Sequence, residues 1–293
     1  MKKAKTTVGF RKYHGFGNDY FVFLASELSE VGDLAKFAVE ICDRNKGAGS
    51  DGLAILKESS DGLSDYSCRI INPDGSEAGF SGNGTRCAVA HLYREKLWDA
   101  PTLRLSTRSG VKNYEFLSRT FDLFRFKAEL GKPVFDTEKV PFVRTAGSNK
   151  VVDFKGDALV EIDTAKRSLY VPLNVGNPVC AVFVDDFAPN WRTIGAAIEK
   201  HPCFPDRANV VFVRPENESR IDIRIWERGA GETSSSGTCS IAAAVASAYL
   251  EKTLRRVLVR APGGITEAEW REDGEMLITG TAEYVYSGEW EVG

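Results

Sequence analysis

The chain has 293 residues, of which 43% are hydrophobic and 27% charged, a composition typical of a globular protein of about two domains. Its 38 basic and 41 acidic residues give a net charge of −3, and without a basic block the sequence argues against a nucleic-acid partner. No apolar run approaches the ~18 residues of a membrane span, and no apolar core follows the basic first residues. We therefore expect a cytoplasmic protein without membrane contact.

Cysteine and histidine usage indicates neither a disulfide framework nor a metal site. The six cysteines are scattered without Cys-x-x-Cys spacing, which is typical of reduced thiols in a chain of this size. The three histidines do not pair at i, i+4 spacing. The sequence thus predicts no metal ligand set.

The first half alternates strands with helices. Val8–Phe23 predicts two strands around a glycine-rich turn, and Gly32–Asp43 has helical spacing. Strands are then predicted at Leu53–Leu56 and Tyr66–Ile71, followed by a run of strands that breaks near Lys132.

The second half repeats this plan. Its predicted strands and helices are Ala158–Ile162, Ser168–Val171, Val179–Val184, Trp191–Glu199 (helix), Val210–Val213, Ile221–Trp226, Ile241–Leu250 (helix) and short strands from Arg256 to Tyr286. The helix at 241–250 is apolar all round, so it is predicted to be central and buried. We predict an α+β protein of two pseudo-symmetric lobes, each a curved, mostly antiparallel sheet around a buried helix. The expected lobes are residues 8–130, joined by a returning strand at 282–293, and residues 131–281.

Two polar stretches occupy equivalent places in the halves, at 72–87 and 227–238. In each, a glutamate (Glu77, Glu232) precedes a Ser-Gly pair by four residues, and an Ala-rich helix follows. A helix N-terminus binds carboxylates through its amides, here those of Gly82, Asn83, Gly237 and Thr238. If two such termini held one ligand, Ser81 and Ser236 would flank its α-carbon, as racemisation requires. The other interpretation is that both serines are ordinary N-caps.

Six motifs in this order resemble the diaminopimelate epimerase family. They are Tyr13–Tyr20, Gly47–Gly52, Asn72–Glu77, Gly82–Cys87, Gly176–Pro178 and Glu227–Thr233, and they cover nearly the whole chain. The resemblance implies an isomerase that converts LL- to meso-diaminopimelate for lysine and peptidoglycan precursors. It implies no pyridoxal phosphate or other cofactor, a small-molecule substrate and a homodimer.

The resemblance also assigns ligand-binding residues. Glu227 would take an ammonium, and Arg228 would clamp the distal carboxylate as a planar fork. Asn18, Asn72, Asn177 and Asn209 match other residues that hold the ligand. Their alternative interpretations are turn residues for the asparagines and a surface ion pair for Glu227 and Arg228.

The chain departs from the family at the two proton-transfer positions. Where the family has two catalytic cysteines, this chain has Ser81 and Ser236; it also has Val179 in place of a histidine and Cys239 in place of a glycine. A thiol, with a reference pKa near 8.5, can ionise at a helix N-terminus, whereas a hydroxyl is a far weaker acid. Cys87 or Cys239 could alternatively supply the missing thiol.

Several hypotheses follow from this departure. The chain is an epimerase or racemase working through a Ser/Ser pair, or a catalytically silent relative that binds a diamino-dicarboxylate-like ligand. A third hypothesis is that the serines were introduced to stop the reaction, and elimination in place of racemisation is also open.

Overall fold

The computed structural model describes residues 6–60, 62–136, 138–140, 142 and 169–292. The chain divides into two compact units, Met1–Ala128 with Gly280–Gly293, and Glu129–Thr279. The predicted strand at Ala158–Ile162 and the predicted strand start at Ser168 lie outside the described residues.

The strands before residue 130 form a curved sheet that closes on itself, and two α-helices and a 3-10 helix accompany it. Their bounds are β1 (Thr6–Gly15), β2 (Asn18–Leu24), a 3-10 helix (Ala25–Leu28), α1 (Leu34–Cys42), β3 (Leu53–Glu58), β4 (Tyr66–Ile71), β5 (Glu77–Ala78), α2 (Gly82–Arg94), β6 (Thr102–Thr107), β7 (Gly110–Thr120) and β8 (Leu123–Glu129). The sheet order is β1-β2-β3-β4-β6-β7-β8, and it closes through the last strand of the chain, whose end pairs with β1.

The elements after residue 168 follow the same order. They are β9 (Leu169–Asn174), β10 (Pro178–Phe183), α3 (Trp191–Glu199), β11 (Asn209–Asn217), β12 (Arg220–Glu227), β13 (Gly231–Thr233), α4 (Gly237–Tyr249), β14 (Arg256–Ala261), β15 (Gly264–Trp270) and β16 (Met276–Val292). The prediction of only short strands at this end is wrong for β16. It runs 17 residues because it pairs first with β15 and then, at its other end, with β1.

Strand pairing repeats between the units. In each, an antiparallel pair (β1–β2, β9–β10) leads through a nine-residue helix to a strand parallel to the second member of that pair (β3, β11). The next strand (β4, β12) is antiparallel, carries a short return strand (β5, β13) and delivers a 13-residue helix. A strand parallel to it (β6, β14) then starts a hairpin. The sheet-rich α+β class is confirmed.

Each unit buries its 13-residue helix. In α2 every residue from Gly82 to Leu92 is buried, and in α4 every residue from Gly237 to Ser247. The small side chains of α4, mainly Ala, Ser and Gly, leave room for surrounding strands, and a helix without a polar face belongs in a core. The predicted burial of the helix at 241–250 is confirmed for its residues up to Ser247.

Candidate functional site

Ser81 is the N-cap of α2 and uses its side chain for this purpose. Its backbone is extended (φ −135°, ψ 119°), and its Oγ accepts a hydrogen bond from the Gly84 N–H at 3.1 Å. The same Oγ lies 2.9 Å from the hydroxyl of Tyr20 on β2. The first turn of α2 is thus ordered, with its amides directed out of the helix start.

The first turn of α2 is also contacted by a residue of β7. Thr85 donates its hydroxyl to the Ser81 carbonyl at 2.6 Å, and the same hydroxyl oxygen lies 2.6 Å from that of Tyr114. Burial raises the pKa of Tyr114, so this phenol stays neutral as a hydrogen-bonding group. The start of α2 is therefore fixed from two strands.

Two of the predicted ligand-binding residues, Asn18 and Asn83, lie together in the first unit. The Asn83 amide donates to Asn18 Oδ1 at 3.1 Å, and the Asn18 amide donates to Asp51 at 2.7 Å. At the other end, the buried guanidinium of Arg86 donates to Asn83 Oδ1 and, at 2.8 Å, to the Thr281 carbonyl. The chain of bonds presets both asparagine side chains.

Asn72 lies in the turn between β4 and β5. Its amide donates to Ser76 Oγ at 2.9 Å, and its backbone N–H donates to the Ser76 carbonyl.

The glutamates that precede the two Ser-Gly pairs form ion pairs: Glu77 binds Arg69 at 2.8 Å, and Glu232 binds Arg192 at 2.5 Å. Each glutamate is thus paired with an arginine, four residues before the serine that starts the following helix.

Ser236 is the N-cap of α4 but makes no capping bond with its side chain. Its backbone (φ −148°, ψ 123°) matches that of Ser81. Its Oγ lies 3.4 Å from Thr238 Oγ1, and its carbonyl accepts from the Ser240 N–H. We call the two helix starts the α2 mouth (residues 81–84) and the α4 mouth (residues 236–239). Their serines have similar backbone conformations but different side-chain contacts.

The predicted residues Asn209, Glu227 and Arg228 lie together near the start of β11 and the end of β12. The buried Asn209 accepts the Arg228 N–H at 2.8 Å, and Thr233 donates its hydroxyl to Glu227 at 2.7 Å. The Arg228 guanidinium is exposed and donates to the Asp206 carbonyl at 2.8 Å.

The buried carboxylate of Glu199, at the end of α3, binds the segment that carries Glu227 and Arg228. It accepts from Trp226 Nε1 at 2.9 Å and from the Gly229 N–H at 2.8 Å, and it pairs with Arg207. Burial opposes ionisation, yet these hydrogen bonds and the Arg207 charge lower the pKa of Glu199. Glu199 thus forms hydrogen bonds with Trp226 and Gly229, the residues that flank Glu227 and Arg228.

Asn177 lies in the turn between β9 and β10 with its side-chain oxygen buried. Among the residues that the structure describes, none donates a hydrogen bond to this Oδ1. A buried acceptor without a donor costs about 1–3 kcal/mol. Such an atom is suited to a ligand's donor group.

The cysteines offered as alternative bases are poorly suited to that role. All six cysteines are free and buried. Burial raises the pKa of Cys87 to about 12, and burial together with the Glu227 carboxylate raises that of Cys239. Neither thiol is ready to ionise near neutral pH.

Sequence reasoning missed Tyr20, Asp51 and Glu199 as parts of these arrangements. Tyr20 and Asp51 belong to quoted motifs, but nothing local shows that their partners are Ser81 and Asn18. Within the described part of the chain, no three His, Cys, Asp or Glu side chains form a group that could hold a metal ion. No helix there is both long and apolar enough to cross a membrane.

Comparison with solved structures shows the fold. A predicted epimerase from Pseudomonas aeruginosa superposes with a TM-score of 0.70 at 14% identity, over 98% of this chain and all of the other. A hydroxyproline epimerase from Agrobacterium vitis gives 0.67 at 15% identity, over all of this chain and 94% of the other.

Comparison of sequences shows the family. The family model described as diaminopimelate epimerase matches residues 10–135 and 171–285. A diaminopimelate epimerase from Pelotomaculum thermopropionicum is 38% identical over 96% of this chain and 98% of its own length. One from Caldanaerobacter subterraneus subsp. tengcongensis is 35% identical over 97% and 99%. The chain belongs to the diaminopimelate epimerase family.

Proposed function

We propose that this chain is a cofactor-independent epimerase that inverts the α-carbon of a diamino-dicarboxylate, LL-diaminopimelate to the meso form, in lysine biosynthesis. The observation that carries the proposal is the pair of equivalent helix starts. Inversion needs a proton-transfer group on each face of the α-carbon, and the repeat presents Ser81 and Ser236 with the same extended backbone at the same place in each unit.

Ligand binding follows from the charges and donors of the site. The amides of Gly82, Asn83, Gly237 and Thr238 bind the α-carboxylate at the helix starts, where the partial positive charge lies. The Glu227 carboxylate takes an ammonium group, and the exposed Arg228 fork takes the distal carboxylate.

The asparagines complete the substrate's hydrogen bonds. Asn18 and Asn83 are preset by their mutual bond, and Asn177 offers its buried oxygen to a substrate N–H. Asn209 positions the backbone of Arg228. Asn72 completes the set from the β4–β5 turn.

We further propose that the two units act as pseudo-symmetric lobes of a cytoplasmic homodimer. The repeat of strand pairing supports the first part. The bounds of the two units support lobes at 8–130 with 282–293 and at 131–281.

A second candidate function is a silent relative that binds the same ligand without moving a proton. The observation that favours it is the engagement of Ser81, whose Oγ caps Gly84 and contacts Tyr20. Within the described part of the chain, the Ser81 hydroxyl makes no hydrogen bond to a carboxylate or imidazole of the kind that activates serine in hydrolases.

Solvent deuterium exchange at the α-carbon separates the two functions. The wild type and the Ser81→Cys/Ser236→Cys variant are incubated with LL- and meso-diaminopimelate in D₂O, and binding is measured by calorimetry. Exchange by the wild type above buffer supports the epimerase. Binding without exchange, with exchange gained by the double variant, identifies the silent relative. Absence of both binding and exchange in both proteins would overturn the assigned substrate.

A further inference from the structure

Arg86 in α2 is a buried cation whose hydrogen-bond acceptors are uncharged. The residue is 3% exposed, and its guanidinium donates to Asn83 Oδ1 and, at 2.8 Å, to the Thr281 carbonyl. The ring centre of Phe16 lies 5.5 Å from its Cζ, a cation–π contact. Among the carboxylates of the described residues, none forms an ion pair with Arg86. Because buried charges are usually paired, this one favours an anion nearby.

Close packing confines the Arg86 guanidinium. A Cβ added to Gly15 would lie 3.0 Å from Arg86 Nη2, and one added to Gly280 would lie 3.0 Å from its Cζ. Both glycines belong to the first unit, and their strands β1 and β16 approach the guanidinium more closely than a side chain would allow. An arginine can only donate hydrogen bonds. The atom of Asn83 that meets Arg86 therefore has to be the acceptor, Oδ1.

Asp51 lies at the other end of the same run of side chains. Its Oδ2 accepts the Asn18 amide at 2.7 Å and the Asp19 N–H at 3.0 Å. Its Oδ1 accepts from Arg44 at 2.7 Å. A carboxylate that is paired with an arginine only accepts hydrogen bonds. Asn18 therefore has to direct its amide nitrogen, and not its oxygen, to Asp51.

The two ends together fix the direction of both asparagine amides. An asparagine side chain can be turned over, which exchanges its oxygen and its nitrogen. Here the Asn83 amide donates to Asn18 Oδ1 at 3.1 Å. Turning Asn83 over would place two donors together at Arg86, and turning Asn18 over would place two acceptors together at Asp51. Only one direction gives every contact a donor and an acceptor.

This direction decides what Asn18 offers to a ligand. Its oxygen accepts from Asn83, and one of its two amide N–H groups donates to Asp51. Among the described residues, none accepts the second N–H, and the side chain is only half-buried. A ligand ammonium would meet a donor here and would lie in the field of the buried Arg86. A ligand carboxylate would meet the donor and the positive charge that favour it.

We propose that Arg86 and Asp51 are positioning residues. By fixing the two asparagines between them, they direct the second N–H of Asn18 to a carboxylate of the ligand. The inference deepens the proposed function and rests on it, because a diamino-dicarboxylate carries both ammonium and carboxylate groups and this part of the first unit selects the carboxylate. None of these side chains is assigned a proton transfer.

The side-chain amide of Asn18 reports this arrangement without a ligand. In protein labelled with ¹⁵N-asparagine, each side-chain NH₂ group gives a pair of proton signals, and the pair of Asn18 is the one missing from Asn18→Asp. We expect one of its two protons to exchange slowly with water and to lie downfield, because it is bonded to the Asp51 carboxylate. Asp51→Ala should remove both properties. Asp51→Asn, which keeps only a neutral acceptor, replaces it if urea unfolding shows that Asp51→Ala does not fold.

Diaminopimelate is then titrated into the labelled protein. We expect the second amide proton of Asn18 to move downfield as the ligand carboxylate accepts it. In Arg86→Gln, whose amide can face Asn83 with either end, this shift should shrink and the affinity measured by calorimetry should fall about tenfold. Arg86→Lys, which can only donate, should keep the affinity within about threefold of the wild type. Equal losses in both variants would contradict the donor-only role of Arg86.

A double-mutant cycle separates positioning from two independent structural roles. Asp51 and Arg86 contact different asparagines, so independent effects on affinity would multiply. If both act through one run of bonds, the first break already releases the asparagines. We therefore expect about a tenfold loss from each of Asp51→Ala and Arg86→Gln and about the same loss from the double variant. Arg104→Ala, which removes a half-exposed arginine paired with Asp65, is the control and should leave the affinity unchanged.

Losses that multiply to about a hundredfold, or an Asn18 amide that does not respond to Asp51→Ala, would overturn the inference. Binding of diaminopimelate without movement of the second Asn18 proton would overturn the carboxylate contact. Failure of the proposed function gives a different result: the wild type would then bind no diaminopimelate, while the Asn18 signals would still respond to Asp51→Ala and Arg86→Gln.

Discussion

The hydroxyl of Tyr20 lies 2.9 Å from the hydroxyl of Ser81, two side chains separated by 61 positions along the chain. Through this contact and the bond from Gly84, Ser81 is a fully engaged helix cap. Ser236 has the same backbone and lacks the capping bond. The two serines are therefore equal in sequence context and unequal in their local energetics.

We predict that Ser81→Ala destabilises the protein by about 1–2 kcal/mol, because it removes a capping bond and leaves the Tyr20 hydroxyl without this partner. Ser236→Ala should cost less than about half as much, since no capping bond is lost. Urea unfolding of both variants measures the difference. Equal losses would show that the cap at Ser81 contributes nothing specific.

Glu199→Ala should loosen the loop that carries Glu227 and Arg228. Its three hydrogen-bonded partners would lose a buried acceptor, and we expect a loss of about 2–4 kcal/mol in unfolding free energy. Ligand affinity should also fall, because the backbone on both sides of Glu227 is no longer held. Calorimetric titration with diaminopimelate measures the second effect.

Glu232→Ala is the matched control for that change. Glu232 also pairs with an arginine, but its side chain is 41% exposed, and exposed ion pairs contribute about 0–1 kcal/mol. A loss at Glu232 as large as that at Glu199 would contradict the role given to burial.

Gly195→Ala in α3 should destabilise the protein despite the better helix propensity of alanine. An added Cβ would lie 2.9 Å from Trp226 Cβ and 3.1 Å from its Cγ. Overpacking of this kind costs about 1–3 kcal/mol, which exceeds the gain of about 1 kcal/mol from replacing a helical glycine. Thermal melting compares it with Gly32→Ala, where an added Cβ meets nothing within 4 Å. A stabilised Gly195→Ala protein would show that Trp226 yields freely.

His91 should make stability fall on acidification. This histidine of α2 is 1% exposed, and its Nδ1 lies 3.1 Å from the Tyr13 hydroxyl. Burial lowers its pKa to about 4, so the folded state keeps it neutral while the unfolded chain takes up a proton below about pH 6.5. Its contribution is complete above pH 6.5 and is lost as the pH falls towards 4.

His91→Gln removes this component. We expect the stability difference between pH 7 and pH 5 to shrink by about 1–2 kcal/mol in the variant, as measured by urea unfolding at both values. His201→Gln, at the end of a different helix, is the control for loss of a histidine. The same pH dependence in wild type and His91→Gln would assign acid sensitivity to carboxylates alone.

The repeated mouths and the buried helices could be predicted from the sequence because their signals are local. A Ser-Gly pair before an Ala-rich apolar run predicts a capped, buried helix, and both α2 and α4 begin at the glycine of that pair. The prediction of short final strands was wrong because a strand's length depends on its partners, and β16 pairs with β15 and β1.

By itself the sequence predicted the family, the internal repeat and the two serines at the starts of α2 and α4, all of which depend on residue order. The tertiary structure alone decided which side chains complete the α2 mouth: Tyr20, which contacts Ser81, and Tyr114, which contacts Thr85. Those neighbours come from strands far away along the chain, and their effect depends on distance and burial. Two nearly identical motifs consequently differ in their contacts: Ser81 caps its helix and contacts Tyr20, whereas Ser236 makes no capping bond.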